Sequence, residues 1–561
     1  MPDAGEGRGR RAFRGATTAL AVLVVWVVLA VPERLFHFTP VAFVRIPIEG
    51  LALVGLALLV PVRRTRGVAL VVGIGIGVLA VVRVLDLGFN AALYRPVNPV
   101  TDWKLLRPAV EMLRDSFGPG WAGAAVVGAV LVAVVVPVAV TLSVVRIHRV
   151  AAQRRRLAAG TAGSLAVVWL VCAVVGAQLS PGVPVASVDA SELAVGQAHD
   201  AARNLRDLSV FRAELAAQDS VGTQPAAGLL TGLRGKDVLL VFVESYGRVA
   251  VQGAPFSGGI RAVLDAGTEQ LRAAGFDSRS AFLTSSTFGG ISWLAHATLH
   301  SGLWIDSQQR HDQLLSSDRS TLSSAFHRAG WRTVVAVPSN KDPWPEGRAF
   351  YHFDEDYDRN DLGYAGPRFG FAAMPDQFTL AAIQRKELGP GHAPVMAEID
   401  LVSSHEPWTP LPPMLAWDEL GDGSVYDGMP AEGPRAADVI GDADRVGSLY
   451  GQAIEYSLTA LISFVTTLHA HDDDLVLVLV GDHQPAPIVS GPDATHDVPI
   501  TIVAADPAVM GRISSWAWED GMLPSPQSPV WRMDAFRDRF LTAFGPLPVT
   551  NPVAGGPPLN D

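Results

Sequence analysis

At 561 residues with 49% hydrophobic side chains, the chain is too long for one ordinary domain and too apolar to be soluble throughout. Its charge is divided: residues 1–181 carry 19 Lys and Arg against 8 Asp and Glu, and the remainder carries 25 against 47. An acidic remainder argues against nucleic acid as a partner, because displacing counterions from phosphates needs a basic surface. The single cysteine, Cys172 in an apolar run, excludes an internal disulfide, thiolate catalysis and a cysteine-based zinc site.

Residues 1–181 read as a transmembrane domain with about five spans, at residues 16–31, 44–62, 67–82, 121–145 and 157–179. Most approach the roughly 20 residues that a helix needs to cross the hydrocarbon core, although the first and third are short. Arg8, Arg10, Arg11 and Arg14 precede the first span, but Val31, Pro32 and Glu33 after it form no small-residue cleavage site, so it is read as a retained anchor. The other basic loops hold Arg63, Arg64 and Arg66, and then Arg146, Arg149, Arg154, Arg155 and Arg156. The positive-inside rule puts all three groups, and with them the N-terminus, in the cytoplasm. An odd number of spans then places everything after about residue 180 outside it, in a multi-pass protein of the cell membrane. Residues 103–117, WKLLRPAVEMLRDSF, have helical apolar spacing that fits either a helix lying at the bilayer interface or a plain connecting helix.

Residues 182–235 read as a helical linker, 236–545 as a globular domain and 546–561 as a flexible tail. Within 236–545, strand-like runs at 238–243, 331–337, 395–401, 475–480 and 500–504 alternate with helix-like runs at 259–274, 293–300, 322–329, 377–387 and 448–469. Such alternation predicts an α/β domain with a mainly parallel central sheet covered by helices. Residues 418–441, rich in Gly, Pro and Asp, read as a long surface loop.

Two of the strand runs stop abruptly at metal-binding side chains. VLLVFVES ends in Glu244 and Ser245, and LVLVLVGDHQP carries Asp482 and His483. In an open α/β sheet ligands gather beyond the carboxyl ends of the strands, so both runs can supply one site. Between them lies STFGGISWLAHATLHSGLW, in which Gly289 and Gly290 permit a tight turn and Ser292 stands where a helix begins. A hydroxyl there meets the positive end of the helix and its free amides, which favour phosphoryl oxygens. His296 and His300 lie four apart on that helix, but Ala297 replaces the Glu that a metalloprotease motif requires; His296, nearer the substrate, is the better candidate for a role.

With these motifs the chain resembles the lipoteichoic acid synthase and phosphoglycerol transferase group, within the sulfatase-like branch of the alkaline phosphatase superfamily. The resemblance implies a domain of alkaline phosphatase type, metal ligands at Glu244, Ser292, Asp482 and His483, and Ser292 as nucleophile. It implies a substrate histidine at His405 in SSHEPW, which binds phosphate or protonates the departing oxygen, and head-group contacts from Trp344 and Arg348. The implied activity is transfer of phosphoglycerol from an outer-leaflet phospholipid, phosphatidylglycerol-like, to a hydroxyl acceptor on a glycan or polymer through a covalent phosphoserine. One divalent ion is implied; carboxylates plus one imidazole suit Mn²⁺ or Zn²⁺, with Mg²⁺ as a further alternative, and the resemblance favours Mn²⁺.

The chain departs from the group at the nucleophile, where relatives carry threonine, and Thr287 is the alternative if the register shifts. A phosphoethanolamine transferase has the same plan but usually carries disulfides and threonine. A sulfatase needs Pro and Arg where Leu294 and His296 stand, which leaves a sulfatase or phosphatase of the superfamily a weaker reading. The alternative of another class is a non-catalytic membrane sensor or scaffold.

Overall fold

The computed structural model describes residues 4–546 apart from 33–37, 62, 99–100, 181–182, 218, 220–223, 430–432, 435–437, 440–441 and 492. The predicted tail therefore lies, from residue 547 on, outside the described residues, as do parts of the predicted loop at 418–441. The chain divides into two compact units, Met1–Ser209 and Val210–Asp561.

The first unit contains α1 (Ala4–Ala30), α2 (Ile48–Leu59), α3 (Thr65–Leu93), α4 (Leu106–Phe117), α5 (Pro119–Gln153) and α6 (Arg155–Val175). Four of them, α1, α3, α5 and α6, are long and apolar enough to cross a membrane. The exception among the five expected spans is α2, whose 12 residues reach only about 18 Å. It stops at Leu59 because Val60 precedes Pro61, which disfavours helical backbone at its neighbour. Conversely, α3 runs well past the predicted end at residue 82, because its interior charges are satisfied within the protein. Arg83 donates to the Asp189 carbonyl at 2.8 Å, and Asp86 accepts from the Val97 amide at 2.8 Å. The amphipathic stretch at 103–117 forms a short 3-10 turn, Asp102–Leu105, followed by α4.

Helices α3 and α5 pack closely because α3 presents glycines. A methyl group on Gly73 would stand 2.8 Å from the Thr141 Cα, and one on Gly77 2.6 Å from the Pro137 Cα. Small residues four apart let backbones approach in this way, which matters in lipid, where apolar side chains gain little by leaving their surroundings. Two short pairings complete the unit: β1 (Ile46–Pro47) with β4 (Ala186–Ser187), and β2 (Gln178–Ser180) with β3 (Val183–Pro184). The long helix α7 (Asp189–Ala216) follows.

The second unit is built on a nine-stranded sheet of β5 (Asp237–Val243), β6 (Asp277–Thr284), β7 (Arg332–Ala336), β8 (Glu355–Tyr357), β9 (Val395–Leu401), β10 (Leu475–Gly481), β11 (Asp497–Ala504), β12 (Glu519–Asp520) and β13 (Val530–Arg532). The order is β12-β6-β11-β10-β5-β9-β7-β8, with β13 added beside β6. Strands β10, β5, β9, β7 and β8 are mutually parallel, whereas β11 runs antiparallel to β10 and β6. Helices cover both faces. Leu239, Val241 and Val243 of β5 join a core with α8 (Ser257–Ala273) and the helices Asp376–Glu387 and Ala443–Leu468. Leu240 and Phe242 face a second core with α9 (Ser292–Ser301) and the helix Phe536–Ala543. The sequence reading passed over β6 because its outer half, DSRS, lacks the apolar run that marks the central strands.

Gly77→Ala is expected to lower the thermal midpoint of the detergent-purified chain by several degrees, the effect of about 1–3 kcal/mol of overpacking against the α5 backbone. Gly75→Ala, which meets no atom within 4 Å, is expected to leave it unchanged; tryptophan fluorescence during a thermal ramp measures both.

Candidate active site

The register of three neighbouring parallel strands assembles the site. Val243 pairs with Gly481 on one side and with Leu401 on the other, so β10, β5 and β9 end at one level. Glu244 and Asp482 therefore leave adjacent strand ends together. Gly481 has to be glycine, since a methyl group there would lie 2.0 Å from the Tyr246 carbonyl oxygen. Ser245 adopts left-handed backbone, φ 58°. Its amide donates to Asp482 Oδ1 at 2.7 Å, its hydroxyl donates to Glu244 Oε1 at 2.9 Å, and its carbonyl accepts from the Tyr450 hydroxyl at 2.8 Å. Ser404 holds the Glu244 carbonyl at 2.6 Å and Ser285 the Asp482 carbonyl at 2.6 Å. These partners fix the carboxylates, the role that second-sphere groups take around metals.

Ser292 arrives from the other side of the sheet top. The loop before it bends through Gly289 (φ 70°), Gly290 (φ 152°) and Ile291 (φ 65°), and the Gly289 amide donates to the Gln484 carbonyl at 2.9 Å. A β-branched residue in left-handed backbone is strained by something of the order of 1–3 kcal/mol. Here the bend seats Ser292 as the first residue of α9, with its hydroxyl toward the strand ends. Ser292 Oγ donates to Glu244 Oε2 at 2.9 Å and lies 3.2 Å from His483 Nε2. His483 Nε2 is in turn 3.3 Å from Glu244 Oε1 and 3.5 Å from Asp482 Oδ2.

These separations fit a coordination shell. Ligand atoms about 2.1 Å from a tetrahedral cation stand about 3.4 Å apart. Two further observations fit a cation. Asp482 Oδ2 is buried with no hydrogen-bond partner among the described residues. His483 Nδ1 is 2.8 Å from the Gln484 carbonyl, which makes it the N–H donor and leaves the Nε2 lone pair for the site. Without a cation, protons must balance the charge. Burial opposes ionisation of Glu244, but facing His483 holds its carboxyl well below the ordinary range, helped by the charge of His405. Burial and the Glu244 carboxylate push Asp482 up to about 7. His483 is pushed up to about 9, since Asp482 and Glu244 outweigh the opposing cost of its burial.

The remaining sequence candidates divide. His405 lies in the turn after β9, its ring stacked on Phe371 with centroids 3.6 Å apart and its Nδ1 2.7 Å from the Glu406 carbonyl. Thr287, the alternative nucleophile, has its hydroxyl buried without a hydrogen bond among the described residues. Trp344 packs near His311 and Tyr351, and Arg348 bonds the Phe353 and Asp354 carbonyls and Glu355. None of the contacts made by Trp344 and Arg348 is with Glu244, Ser292, Asp482 or His483.

His296 turns instead toward two carboxylates that the sequence reading absorbed into an apolar strand. Its Nδ1 lies 3.2 Å from Glu398 Oε1 and 3.7 Å from Asp400 Oδ1, and His300 Nε2 lies 2.9 Å from Glu398 Oε2. The available signal was the pair of acids two apart in VMAEIDL. Also missed was Asp376, fully buried, which accepts from the Val402 and Ser403 amides at 2.8 and 2.9 Å and from Ser457 at 2.6 Å. It anchors the turn that carries His405.

No protein-family model matches the chain, and no curated protein matches its sequence. Several solved structures are similar to the chain at low sequence identity. They include a lipoteichoic acid synthase from Listeria monocytogenes (15% identity, 48% of this chain and 66% of that one, TM-score 0.35). Another is the soluble domain of lipooligosaccharide phosphoethanolamine transferase A from Neisseria meningitidis (13%, 57% and 92%, 0.36). A third is a phosphoglycerol transferase from Streptococcus pyogenes in complex with sn-glycerol-1-phosphate (12%, 60% and 91%, 0.35). At such identities and overlaps the chemistry has to be read from the side chains of the site.

A cation must displace protons from His483 and Asp482, so affinity for Mn²⁺ or Zn²⁺ is expected to rise with pH across the window of about 7 to 9 set by these two groups. Calorimetric titrations in buffers of different ionisation enthalpy would detect proton release at neutral pH; flat affinity over that window would contradict the assignment.

Proposed function

We propose that the chain is a membrane-anchored phosphotransferase of the sulfatase-like alkaline phosphatase superfamily, of phosphoglycerol transferase type. The observation that carries this reading is the Ser292 hydroxyl, at the first residue of α9 and 2.9 Å and 3.2 Å from Glu244 and His483. Glu244, Asp482, His483 and Ser292 would hold one divalent ion, Mn²⁺ by resemblance, which when bound lowers the hydroxyl pKa and neutralises phosphoryl oxygens.

Ser292 Oγ, whose proton the bound ion would expel to solvent, attacks phosphorus. The amides opening α9 face the phosphoryl oxygens. His405, stacked on Phe371, protonates the departing diacylglycerol oxygen and leaves phosphoglycerol on Ser292. It then takes the proton of an acceptor hydroxyl on a glycan or polymer as that oxygen displaces Ser292 as its oxyanion, the form in which it attacked. Trp344 and Arg348 are carried only by resemblance and have no part in these steps.

The donor is a phospholipid of the outer leaflet, so the catalytic unit belongs outside the cytoplasm. The positive-inside pattern supports that side if the short α2 segment returns the chain, which puts Arg63, Arg64 and Arg66 with the other basic loops.

The test is the full chain in detergent micelles with fluorescent phosphatidylglycerol and Mn²⁺. Diacylglycerol release is expected to fall by about 10³-fold or more in Ser292→Ala and comparably in Asp482→Asn, and to stay within about twofold of wild type in Thr287→Ala. Equal turnover by Ser292→Ala would remove the nucleophile. Faster release from phosphatidylethanolamine, or faster hydrolysis of an aryl sulfate, would replace the donor class.

A further inference from the structure

We infer that His296, Glu398 and Asp400 form a second site for a divalent transition-metal ion, one helical turn along α9 from Ser292. The starting point is an anomaly of β9. This strand lies between β5 and β7 in the interior of a helix-covered sheet, where both faces are expected to be apolar. Yet VMAEIDL places Glu398 and Asp400 two residues apart, hence on one face, and that face looks to α9. Glu398 is 5% exposed, and the Asp400 side chain 13%. Two carboxylates side by side out of water need a cation or protons between them.

The opposing helix supplies nitrogen ligands. His296 and His300 stand four apart and so share one face of α9. His296 Nδ1 lies 3.2 Å from Glu398 Oε1 and 3.7 Å from Asp400 Oδ1, and one ligand atom from each residue falls within 4.8 Å of the others. Both measured edges bracket the roughly 3.4 Å expected between donors about 2.1 Å from a common ion. The imidazole is held for this purpose, because the Phe242 ring stacks on it with centroids 3.7 Å apart and planes 13° from parallel. Phe242 is itself the register partner of Asp400.

The hydrogen bonding points the same way. Among the described residues Asp400 Oδ1 is buried without a hydrogen-bond partner. His300 is fully buried, and among the described residues neither of its ring nitrogens makes a hydrogen bond of proper direction, although Nε2 lies 2.9 Å from Glu398 Oε2. Through that 2.9 Å contact His300 stands beside one Glu398 oxygen as a positioning residue and leaves the other to the site. One imidazole and two carboxylates suit Zn²⁺ or Mn²⁺. An ion there would rivet α9, which carries Ser292, to β9, which leads into the turn of His405. The inference stands independently of the reaction proposed above.

The experiment counts metal on the full chain in detergent, stripped with chelator, dialysed against Zn²⁺ or Mn²⁺ and measured by mass spectrometry of the ions. Two ions per wild-type chain are expected. Asp482→Asn is expected to retain one, Asp400→Asn one, and the double variant none. Near-wild-type circular dichroism qualifies each variant, and His296→Asn serves as a second probe that must also fall to one. In the Asp482→Asn background, Zn²⁺ is expected to raise the thermal midpoint, and adding Asp400→Asn to abolish that rise. One ion per wild-type chain, or two ions retained by folded Asp400→Asn and His296→Asn, would overturn the inference.

Discussion

The parallel pairing of β5 with β10, in the register that sets Val243 opposite Gly481, is the constraint on which the site rests. It brings Glu244 and Asp482 out of the sheet side by side, two carboxylates that would repel if nothing stood between them. Everything around them resolves that repulsion. Ser245 takes left-handed backbone so that its amide can satisfy Asp482, Tyr450 holds the strained turn, and Ser404 and Ser285 tie down the carbonyls of the two acids. His483 lends its Nε2 by spending Nδ1 on the Gln484 carbonyl. The buried serines and the tyrosine are thus parts of the electrostatic frame as much as of the packing.

The same sheet carries a second acidic strand end. Because β9 pairs with β5 on the side away from β10, Asp400 stands level with Phe242 and within electrostatic reach of Asp482 and Glu244. Burial and the neighbouring carboxylates push Asp400 up to about 8, while His300 and His296 hold Glu398 down to about 2 against its own burial. The two clusters set four carboxylates, those of Glu244, Asp482 and Glu398 buried, beneath the entrance to α9. Such a set is costly in an apolar core and has meaning only if cations or protons occupy it.

In the membrane unit a different balance holds. Its helices expose apolar side chains over much of their length, and α3 approaches α5 closely through Gly73 and Gly77. Arg83 and Asp86, which look from the sequence like the end of a span, are buried against partners and let α3 continue.

By itself the sequence determined the division into an apolar basic part and an acidic α/β part, the central strands and most helices, and the four residues that converge on one point. Those features are local: a run of Leu and Val ending in Glu or Asp-His reads the same in any context, and hydropathy scales with the number of apolar residues. Tertiary structure alone decided what depends on partners distant in the chain. The direction of β11 and the length of α3 follow from pairing and buried charge. Asp376 matters because the amides of Val402 and Ser403 come to it, and Glu398 and Asp400 stop looking like stray charges only when α9 lays His296 and His300 across them. The strain at Ile291, which aims Ser292, is equally invisible in the sequence, because Gly-Gly-Ile-Ser signals a turn but not the left-handed backbone that its surroundings impose.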